Sequence, residues 1–212
     1  MNRRDFIRRG IVFATITATG AGFALRGAAA ATLGHEATDE LRFMRQEEKL
    51  ARDIYQQAYA RWHLPVFANV AQAEQRHMDA IWRMLARYGI ADSLRDPQAQ
   101  GGFTDPRLAK LYSELQVRIE RSADEALLAA GLIEEVDILD LRKAAKTAPD
   151  QSLRRVYANL ERGSRNHLRS FASAWMQRTG KHYVAQAMPQ AQVDDILASP
   201  LERGGNGMGM GH

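Results

Sequence analysis

The segment FANVAQAEQRHMDAIWRML, residues 67–85, decides the fold. Its large apolar side chains recur three and four positions apart, which is the spacing of one face of an α-helix rather than of a strand. Glu74 and His77 fall on the same apolar face, one helical turn apart. A buried carboxylate or imidazole costs free energy unless it is paired. The segment therefore predicts a core helix whose polar pair needs partners from other helices.

The rest of the chain extends this helical pattern, and no window after residue 31 alternates in the manner of a strand. Four long helices are predicted, over about residues 38–60, 66–88, 122–146 and 150–178. Thr38 is the expected first N-cap, and Asp105 caps an additional helix within a long crossover over residues 89–121. One long crossover is typical of the ferritin-like bundle, whereas cytokine-type bundles have two. The predicted fold is all-α: a ferritin-like four-helix bundle with one long crossover containing an extra helix.

Polar side chains on the inner faces are the most informative feature of this bundle. Each of the four long helices turns a carboxylate or an imidazole toward the predicted core, namely Glu48, Glu74, His77, Glu134 and His167. The inner faces carry no arginine that could neutralise them, so a divalent cation is the expected partner. Two other interpretations stay open. The histidines can be hydrogen-bonded core residues, and the glutamates can pair with Lys49, Arg52 or Arg142 at the helix flanks.

Four motifs surround these polar residues: FMRQEEKLARDIY at 43–55, AEQRHMDA at 73–80, IEEVDILDL at 133–141 and GSRNHL at 163–168. As a set they resemble the bacterial ferritin-like family catalogued as domain of unknown function 2202. The resemblance covers about residues 38–198. The activity of that family is not established, so the resemblance implies a fold and a suspected metal site rather than a reaction.

The wider ferritin-like superfamily, which includes rubrerythrin and bacterioferritin, implies a role for each of these residues. Its members bind metal through a Glu, a Glu-x-x-His pair, a further Glu and a second Glu-x-x-His pair. By this resemblance Glu48 and Glu134 are terminal or bridging ligands, Glu74 is a bridging ligand, and His77 and His167 are terminal ligands. The implied metal is iron, or alternatively manganese, with O2 or peroxide as the reaction partner.

The chain departs from the superfamily pattern just before His167. Ser164 stands three residues earlier, where the pattern has Glu, and Glu161 lies about 120° further round the helix. One carboxylate is therefore missing. Asp137, one turn from Glu134, could substitute for it. If it does not, a dinuclear site becomes lopsided and a site for a single ion becomes credible. Glu135 and Asp137 are also the alternates for Glu134 as the glutamate of that helix.

Residues 1–30 resemble a cleavable twin-arginine-type signal peptide. They contain the pair Arg3-Arg4, an apolar stretch over residues 11–25 and an alanine-rich cleavage zone. An ordinary Sec signal and an uncleaved anchor are the alternatives. The expected location is the periplasm or another exported compartment. At the other end, residues 199–212 are expected to form a flexible Gly/Met tail.

Composition and charge exclude several classes of protein. The chain has no cysteine, which excludes disulfides, thiolate zinc sites, Cys-ligated iron–sulfur clusters and a Cys nucleophile. The formal net charge of +4 disappears without residues 1–30, because these hold five arginines and one acid. A formally neutral remainder offers no electrostatic basis for binding nucleic acid. Neither nucleic acid nor, after signal cleavage, a membrane is an expected partner.

These features together predict an exported ferritin-like metal-binding protein that holds one or two iron (or manganese) ions. Its expected chemistry is oxidation of Fe²⁺ with O2 or peroxide. One alternative is a non-catalytic periplasmic binding or stress protein, whose polar core only fixes the helix register. Another is metal handling through Met208, Met210 and His212 in the tail. The resemblance also allows a homo-oligomer.

Overall fold

The computed structural model describes residues 33–203, and every regular element among them is a helix. The helices are α1 His35–Trp62, α2 Pro65–Arg87, α3 Pro106–Ile119, α4 Ala123–Thr147, α5 Gln151–Thr179 and α6 Gln190–Ala198. The all-α prediction is confirmed, and the predicted helix limits lie within one turn of the observed ones. The predicted signal peptide and residues 204–212 of the predicted tail lie outside the described residues. Within residues 33–203, no helix is both long enough and apolar enough to cross a membrane.

Capping side chains set the start of three helices. Asp105, Ser122 and Asp150 each accept a hydrogen bond from a backbone N–H in the first turn of α3, α4 and α5. The predicted N-cap at Thr38 is wrong, because α1 begins one turn earlier and the Thr38 N–H donates to the carbonyl oxygen of Gly34 (3.0 Å). Residues 35–37 include neither glycine nor proline, so nothing in them stops the helix from extending to His35.

Two apolar layers show the direction in which each long helix runs. Layer A includes Ile54, Phe67, Leu127 and Phe171, and layer B includes Leu41, Leu85, Leu141 and Leu153. Helices α1 and α5 run from layer B to layer A, whereas α2 and α4 run from layer A to layer B. The closely packed pairs α1–α2 and α4–α5 are therefore antiparallel. Since α2 and α4 run in the same direction, residues 88–122 must cross the length of the molecule between them.

Buried cations on α1 hold this crossover in place. The ammonium group of Lys49 donates to the carbonyl oxygen of Gly101 (2.8 Å), and the guanidinium of Arg52 donates to that of Pro97 (2.7 Å). Asp53 pairs with both cations and also accepts a hydrogen bond from the Gly101 N–H (2.9 Å). These contacts satisfy backbone groups that the covered crossover would otherwise leave unpaired.

A polar layer separates layer A from layer B. It consists of Glu48 on α1, Glu74 and His77 on α2, Glu134 and Asp137 on α4, and Ser164 and His167 on α5. The three glutamates in it are each only 1% exposed. The fold therefore places carboxylates and imidazoles from four helices at one level in the interior of the protein.

Candidate metal centre

Glu74 lies in the middle of the polar layer, between two histidines. Its Oε2 atom lies 2.9 Å from Nδ1 of His77, and its Oε1 atom lies 2.7 Å from Nδ1 of His167. The two imidazole rings are stacked, with centroids 5.2 Å apart and an interplanar angle of 27°. One ligand atom from each of the three residues can be chosen so that all lie within 4.8 Å of one another. Each oxygen of a single carboxylate thus faces a different imidazole.

Each histidine also faces a second carboxylate. Nδ1 of His77 lies 3.1 Å from Oε2 of Glu48, and Nδ1 of His167 lies 3.5 Å from Oε2 of Glu134. The layer has two similar halves, one with Glu48 and His77 and the other with Glu134 and His167, and they share Glu74. The structure therefore brings together all five residues that the sequence singled out as ligands.

The spacing of these atoms matches that of ligands around a cation. In octahedral coordination with bonds of about 2.1 Å, neighbouring ligand atoms lie about 3.0 Å apart. The four nitrogen–oxygen distances in the layer range from 2.7 to 3.5 Å. Within the described residues, Oε1 of Glu48, Oε1 of Glu74 and Nδ1 of His167 are buried without a hydrogen-bond partner. Oε1 of Glu74 and Nδ1 of His167 are thus close together, but their angles do not fit a hydrogen bond. A cation bound between the carboxylates and imidazoles would give the three unpartnered atoms a partner.

The central carboxylate and the two imidazoles hold one another in their charged forms. Burial alone would raise the pKa of Glu74, but His167 and His77 outweigh it and hold this pKa well below its usual value. Burial alone would lower the pKa of His77, but Glu48 and Glu74 raise it well above its usual value. Glu74 and Glu134 likewise overcome burial and raise the pKa of His167 to about 10. Before a cation binds, both imidazoles therefore carry protons around an ionised Glu74.

The two outer glutamates take up protons more readily than ordinary carboxylates. Burial raises the pKa of Glu48 to about 7 against the opposing effect of His77, and it raises the pKa of Glu134 to about 7 as well. The hydroxyl of Tyr55 donates a hydrogen bond to Oε1 of Glu134 (2.6 Å). Burial and the Glu134 charge raise the pKa of Tyr55 well above its usual value, so Tyr55 stays a donor. Cation binding would therefore release protons from the layer.

Asp137 is the alternate ligand that the structure brings to the polar layer. The hydroxyl of Ser164 donates a hydrogen bond to Oδ2 of Asp137, while Oδ1 is buried without a partner among the described residues. Burial raises the pKa of Asp137 well above its usual value, and the neighbouring carboxylates of Glu48 and Glu134 raise it further. Asp137 thus has one buried oxygen without a partner, and it lies one helical turn from Glu134.

Glu135, the second alternate, lies outside the polar layer. Its carboxylate accepts hydrogen bonds from the Tyr183 hydroxyl (2.9 Å) and from the backbone N–H groups of residues 186–188. Adjacent positions on an α-helix point about 100° apart, so Glu135 cannot face the same way as Glu134. It anchors the segment that follows α5, and its oxygens already have partners.

The flanking cations do not reach the polar layer. Lys49 and Arg52 form buried ion pairs with Asp53, and Arg142 pairs with Glu161 (2.8 Å). Glu161 therefore points away from the layer, as its helical position predicts. The ion pairs among the described residues do not support the interpretation of the inner glutamates as members of flank salt bridges.

Gly163 makes room for His77, and the sequence argument missed it. A Cβ atom at this position would lie 2.5 Å from Nε2 and 2.7 Å from Cε1 of the His77 ring. Any side chain here would require the His77 imidazole or the helix backbone to shift from this position. The sequence does contain an indication of this close contact, namely a glycine inside a long predicted helix. Glycine there destabilises the helix by about 1 kcal/mol relative to alanine, so its presence usually reflects close packing or function.

Comparisons with known proteins find a matching family model, a similar protein and a similar solved structure. The family model described as an uncharacterized protein domain, DUF2202, matches residues 37–200. The uncharacterized protein MJ0754 of Methanocaldococcus jannaschii is 37% identical over 174 residues, which cover 82% of this chain and 93% of that protein. A crystal structure of the hypothetical protein MJ0754 from Methanococcus jannaschii matches with a TM-score of 0.77 and 34% identity, covering 86% of this chain and 100% of the other. This chain belongs to the DUF2202 family.

Proposed function

We propose that this protein is a ferritin-like metal-binding protein whose polar layer binds two Fe²⁺ ions and oxidises them with O2 or peroxide. The helix directions and the single long crossover support the ferritin-like arrangement. The donor set of carboxylate oxygens and imidazole nitrogens suits iron, and manganese is the next best candidate.

The observation that carries this proposal is the position of the Glu74 carboxylate between the two histidines. One oxygen of Glu74 faces His77 beside Glu48, and the other faces His167 beside Glu134. Each half therefore offers one imidazole, one carboxylate of its own and one oxygen of Glu74. Di-iron carboxylate bundles use such a set with one further bridging glutamate. In this proposal the buried, unpartnered oxygen of Asp137 replaces that glutamate.

Two ions side by side match the electron count of the reaction. Each Fe²⁺ loses one electron on becoming Fe³⁺. Two such electrons and two protons convert O2 to H2O2, and two electrons and two protons convert H2O2 to two water molecules. In this proposal iron is the substrate, and the layer binds and orients it. Tyr55 fixes the orientation of Glu134 through its hydrogen bond.

Anaerobic titration of the full chain with Fe²⁺ tests the proposal, followed by addition of O2 or H2O2. We expect two Fe²⁺ per chain and a rise in ferric absorbance after the oxidant is added. His77→Ala should lose at least one of the two ions, because it removes the imidazole from one half. His182→Ala is the matched control, since that imidazole is 70% exposed and lies near Asp194 rather than in the layer.

Glu161→Gln is the carboxylate control on α5. Because Glu161 pairs with Arg142 and Arg165, the variant should keep both ions. Full iron binding by His77→Ala together with loss of iron in Glu161→Gln would contradict the assignment of the ligands. Binding of one ion per chain by the parent would replace the two-ion centre with a mononuclear one.

A non-catalytic structural layer is the second candidate, and one observation favours it. Glu74 lies between two protonated imidazoles, so part of the charge in the layer is balanced without metal. In that case the polar layer would only fix the register of the helices. The titration separates the two candidates, because a structural layer predicts no Fe²⁺ binding above background and no change in thermal midpoint on adding Fe²⁺.

Export through the twin-arginine pathway is part of the proposal and rests on residues outside the described range. The variant Arg3→Lys with Arg4→Lys should leave the precursor in the cytoplasm, whereas normal periplasmic yield would favour a Sec signal. Deletion of residues 204–212 should leave the iron content unchanged. Loss of iron in that deletion would instead support metal handling by Met208, Met210 and His212.

A further inference from the structure

A cleft of about 440 Å³ lies where α1, α2 and the crossover meet. Its polar lining comes from one tyrosine and several glutamines of these segments, namely Tyr59, Gln56, Gln72, Gln75 and Gln98. Within the described residues, no charged side chain lines it. Its volume falls in the range of about 300–1,000 Å³ that is typical of small-molecule sites. The cleft therefore offers a ligand neutral hydrogen-bonding groups and one aromatic ring.

Two alanines of α2 and the tyrosine of α1 provide the apolar part of the cleft. Ala68 and Ala71 line it with side chains of a single methyl group, which leaves the space open. Tyr59 is 41% exposed, and its ring is nearly perpendicular to that of His63, with centroids 6.0 Å apart. Because His63 does not stack on it, ring surface of Tyr59 is free to pack against a ligand.

Hydrogen bonds between amides fix one edge of the cleft before any ligand binds. The Gln100 amide donates to Oε1 of Gln56 (2.7 Å), and the Gln57 amide donates to Oε1 of Gln100 (2.7 Å). Gln116 on α3 extends this row by donating to Oε1 of Gln57 (3.0 Å). The row joins α1, the crossover and α3, so the Gln56 side chain has a set orientation.

Gln75 is held in the lining by charged residues that do not themselves line the cleft. Its Oε1 atom accepts a hydrogen bond from Arg52 (2.6 Å), and its amide donates to Oδ1 of Asp79 (2.9 Å). Arg52 is only 1% exposed and is paired with Asp53, so its charge is not presented to a ligand. The lining therefore stays neutral although ionised groups lie close to it.

Several polar groups of the cleft have no hydrogen-bond partner within residues 33–203. They are the Tyr59 hydroxyl, the NH2 group of Gln56 and the side-chain amides of Gln72 and Gln98, all on exposed residues. An amide offers donors and an acceptor oxygen, and a hydroxyl both donates and accepts. A matching ligand must therefore carry several groups that also do both.

We propose that this cleft binds a neutral mono- or disaccharide. Each sugar hydroxyl both donates and accepts a hydrogen bond, as the free glutamine amides and the Tyr59 hydroxyl require. The C–H groups on the face of a sugar ring pack against the face of an aromatic ring, here that of Tyr59. A charged ligand would find no opposite charge in the lining, which separates neutral sugars from acidic sugars and nucleotides.

Titration of the full chain with cellobiose, maltose and N,N′-diacetylchitobiose tests the site, with nuclear magnetic resonance of the side-chain amides as the readout. At least one of these sugars should shift the amide signals of Gln56, Gln72 and Gln98. Its dissociation constant should be the same at about 50 and about 500 mM NaCl, because no ion pair is formed. Digalacturonate and triglycine are the charged and peptide ligands for comparison, and both should bind more weakly.

Variants of the lining locate the bound sugar. Tyr59→Ala and Gln72→Ala should each weaken binding about five- to tenfold, because each removes one contact from an exposed residue. Ala68→Phe should abolish binding, since it fills the cleft without removing a polar group. Trp82→Ala and Gln177→Ala are the aromatic and amide controls, because both side chains are exposed and neither lines the cleft.

Circular dichroism verifies that each variant is folded, and the two alanine variants decide the question if Ala68→Phe is not. The proposal is overturned if none of the neutral sugars binds, if the controls lose as much affinity as Tyr59→Ala and Gln72→Ala, or if digalacturonate or triglycine binds more tightly. The cleft shares no residue with the polar layer. Sugar binding by a chain that binds no Fe²⁺ would keep this site and reject the iron centre, and the opposite pair of results would do the reverse.

Discussion

The hydroxyl of Ser164 donates a hydrogen bond to the carboxylate of Asp137 and so joins α5 to α4 at the level of the polar layer. Ser164 occupies the position from which a second Glu-x-x-His pair would supply its glutamate to the centre. In the proposed centre, Asp137 on α4 would supply this carboxylate, and Ser164 on α5 would supply the donor that orients it.

Ser164→Ala should destabilise the metal-free protein by about 1–3 kcal/mol, because it leaves the buried Asp137 carboxyl without its donor. Urea denaturation of the chelator-treated protein measures the difference. Ser113→Ala is a matched control, since its hydroxyl donates to the Ala109 carbonyl oxygen (3.1 Å) on an exposed helix face. Equal free energies of unfolding for the two variants would contradict an orienting function for Ser164.

Gly163→Ala should reduce Fe²⁺ or Mn²⁺ binding while the chain keeps its helical content. The added Cβ would lie 2.5 Å from Nε2 of His77, so the ring must shift from the position in which Nδ1 contacts Glu48 and Glu74 unless the backbone gives way. Equilibrium dialysis with the metal and circular dichroism measure the two quantities. Gly34→Ala is the control, because no described atom lies within 4 Å of a Cβ built at that position. Unchanged metal binding by Gly163→Ala would contradict the expected displacement of the His77 ring.

Glu135→Gln should lower stability and leave metal content unchanged. The carboxylate accepts hydrogen bonds from Tyr183 and from three successive backbone N–H groups, and an amide can satisfy these donors only in part. Charge-assisted hydrogen bonds of this kind contribute about 1.5–3 kcal/mol each. Thermal denaturation and metal analysis of the same sample separate the two effects. Loss of metal from a fully folded Glu135→Gln protein would restore Glu135 as a ligand.

The stability of the metal-free protein should fall as pH rises from about 4.5 to about 7. Glu48 and Glu134 have a pKa of about 7 in the folded state, above their ordinary 4.5, so the folded chain binds more protons in this range. The stabilisation is complete below 4.5 and is lost as these groups ionise. His167 extends the decline toward its pKa of about 10. Glu74 has the opposite effect, because its pKa in the folded state is lowered. Its contribution to stability is present above its ordinary pKa of 4.5 and is lost as the pH falls below that value.

Metal should reverse this pH dependence. Binding displaces protons from Glu48, Glu134 and the two histidines, so the affinity rises with pH. Urea midpoints between about pH 5 and 8, with and without Mn²⁺, measure both trends. A metal-free protein that becomes more stable over this range would contradict the buried, protonated state of the outer glutamates.

The convergence of the five candidate ligands could be predicted because helical periodicity fixes which side chains share a face. Glu74 and His77 are one turn apart on a strongly apolar face. Glu48 lies four positions after Met44, so the two side chains share the apolar face of α1. Periodicity also favours Asp137, one turn from Glu134, over Glu135, which points about 100° away, but it does not show what the Glu135 carboxylate binds instead. Both lie on α4 near Glu134, and Glu135 is satisfied by backbone groups some fifty positions further along the chain. No local pattern encodes so distant a partner.

The buried charges of α1 show a second limit of periodicity. Lys49, Arg52 and Asp53 resemble an exposed helix flank, yet all three are buried beneath the crossover. Their partners are carbonyl oxygens of an irregular segment whose path depends on the whole fold. Thr38 was misassigned because a helix can begin without a side-chain cap.

Because the polar layer lies between layer A and layer B, its completeness depends on the register of all four long helices. Each long helix contributes to the layer at one level, and sliding a helix by one turn, about 5.4 Å, would move its polar residues into apolar surroundings. A chain with one misaligned helix would therefore lack a complete set of ligands. Only chains whose four helices are in register could therefore bind an ion at the layer.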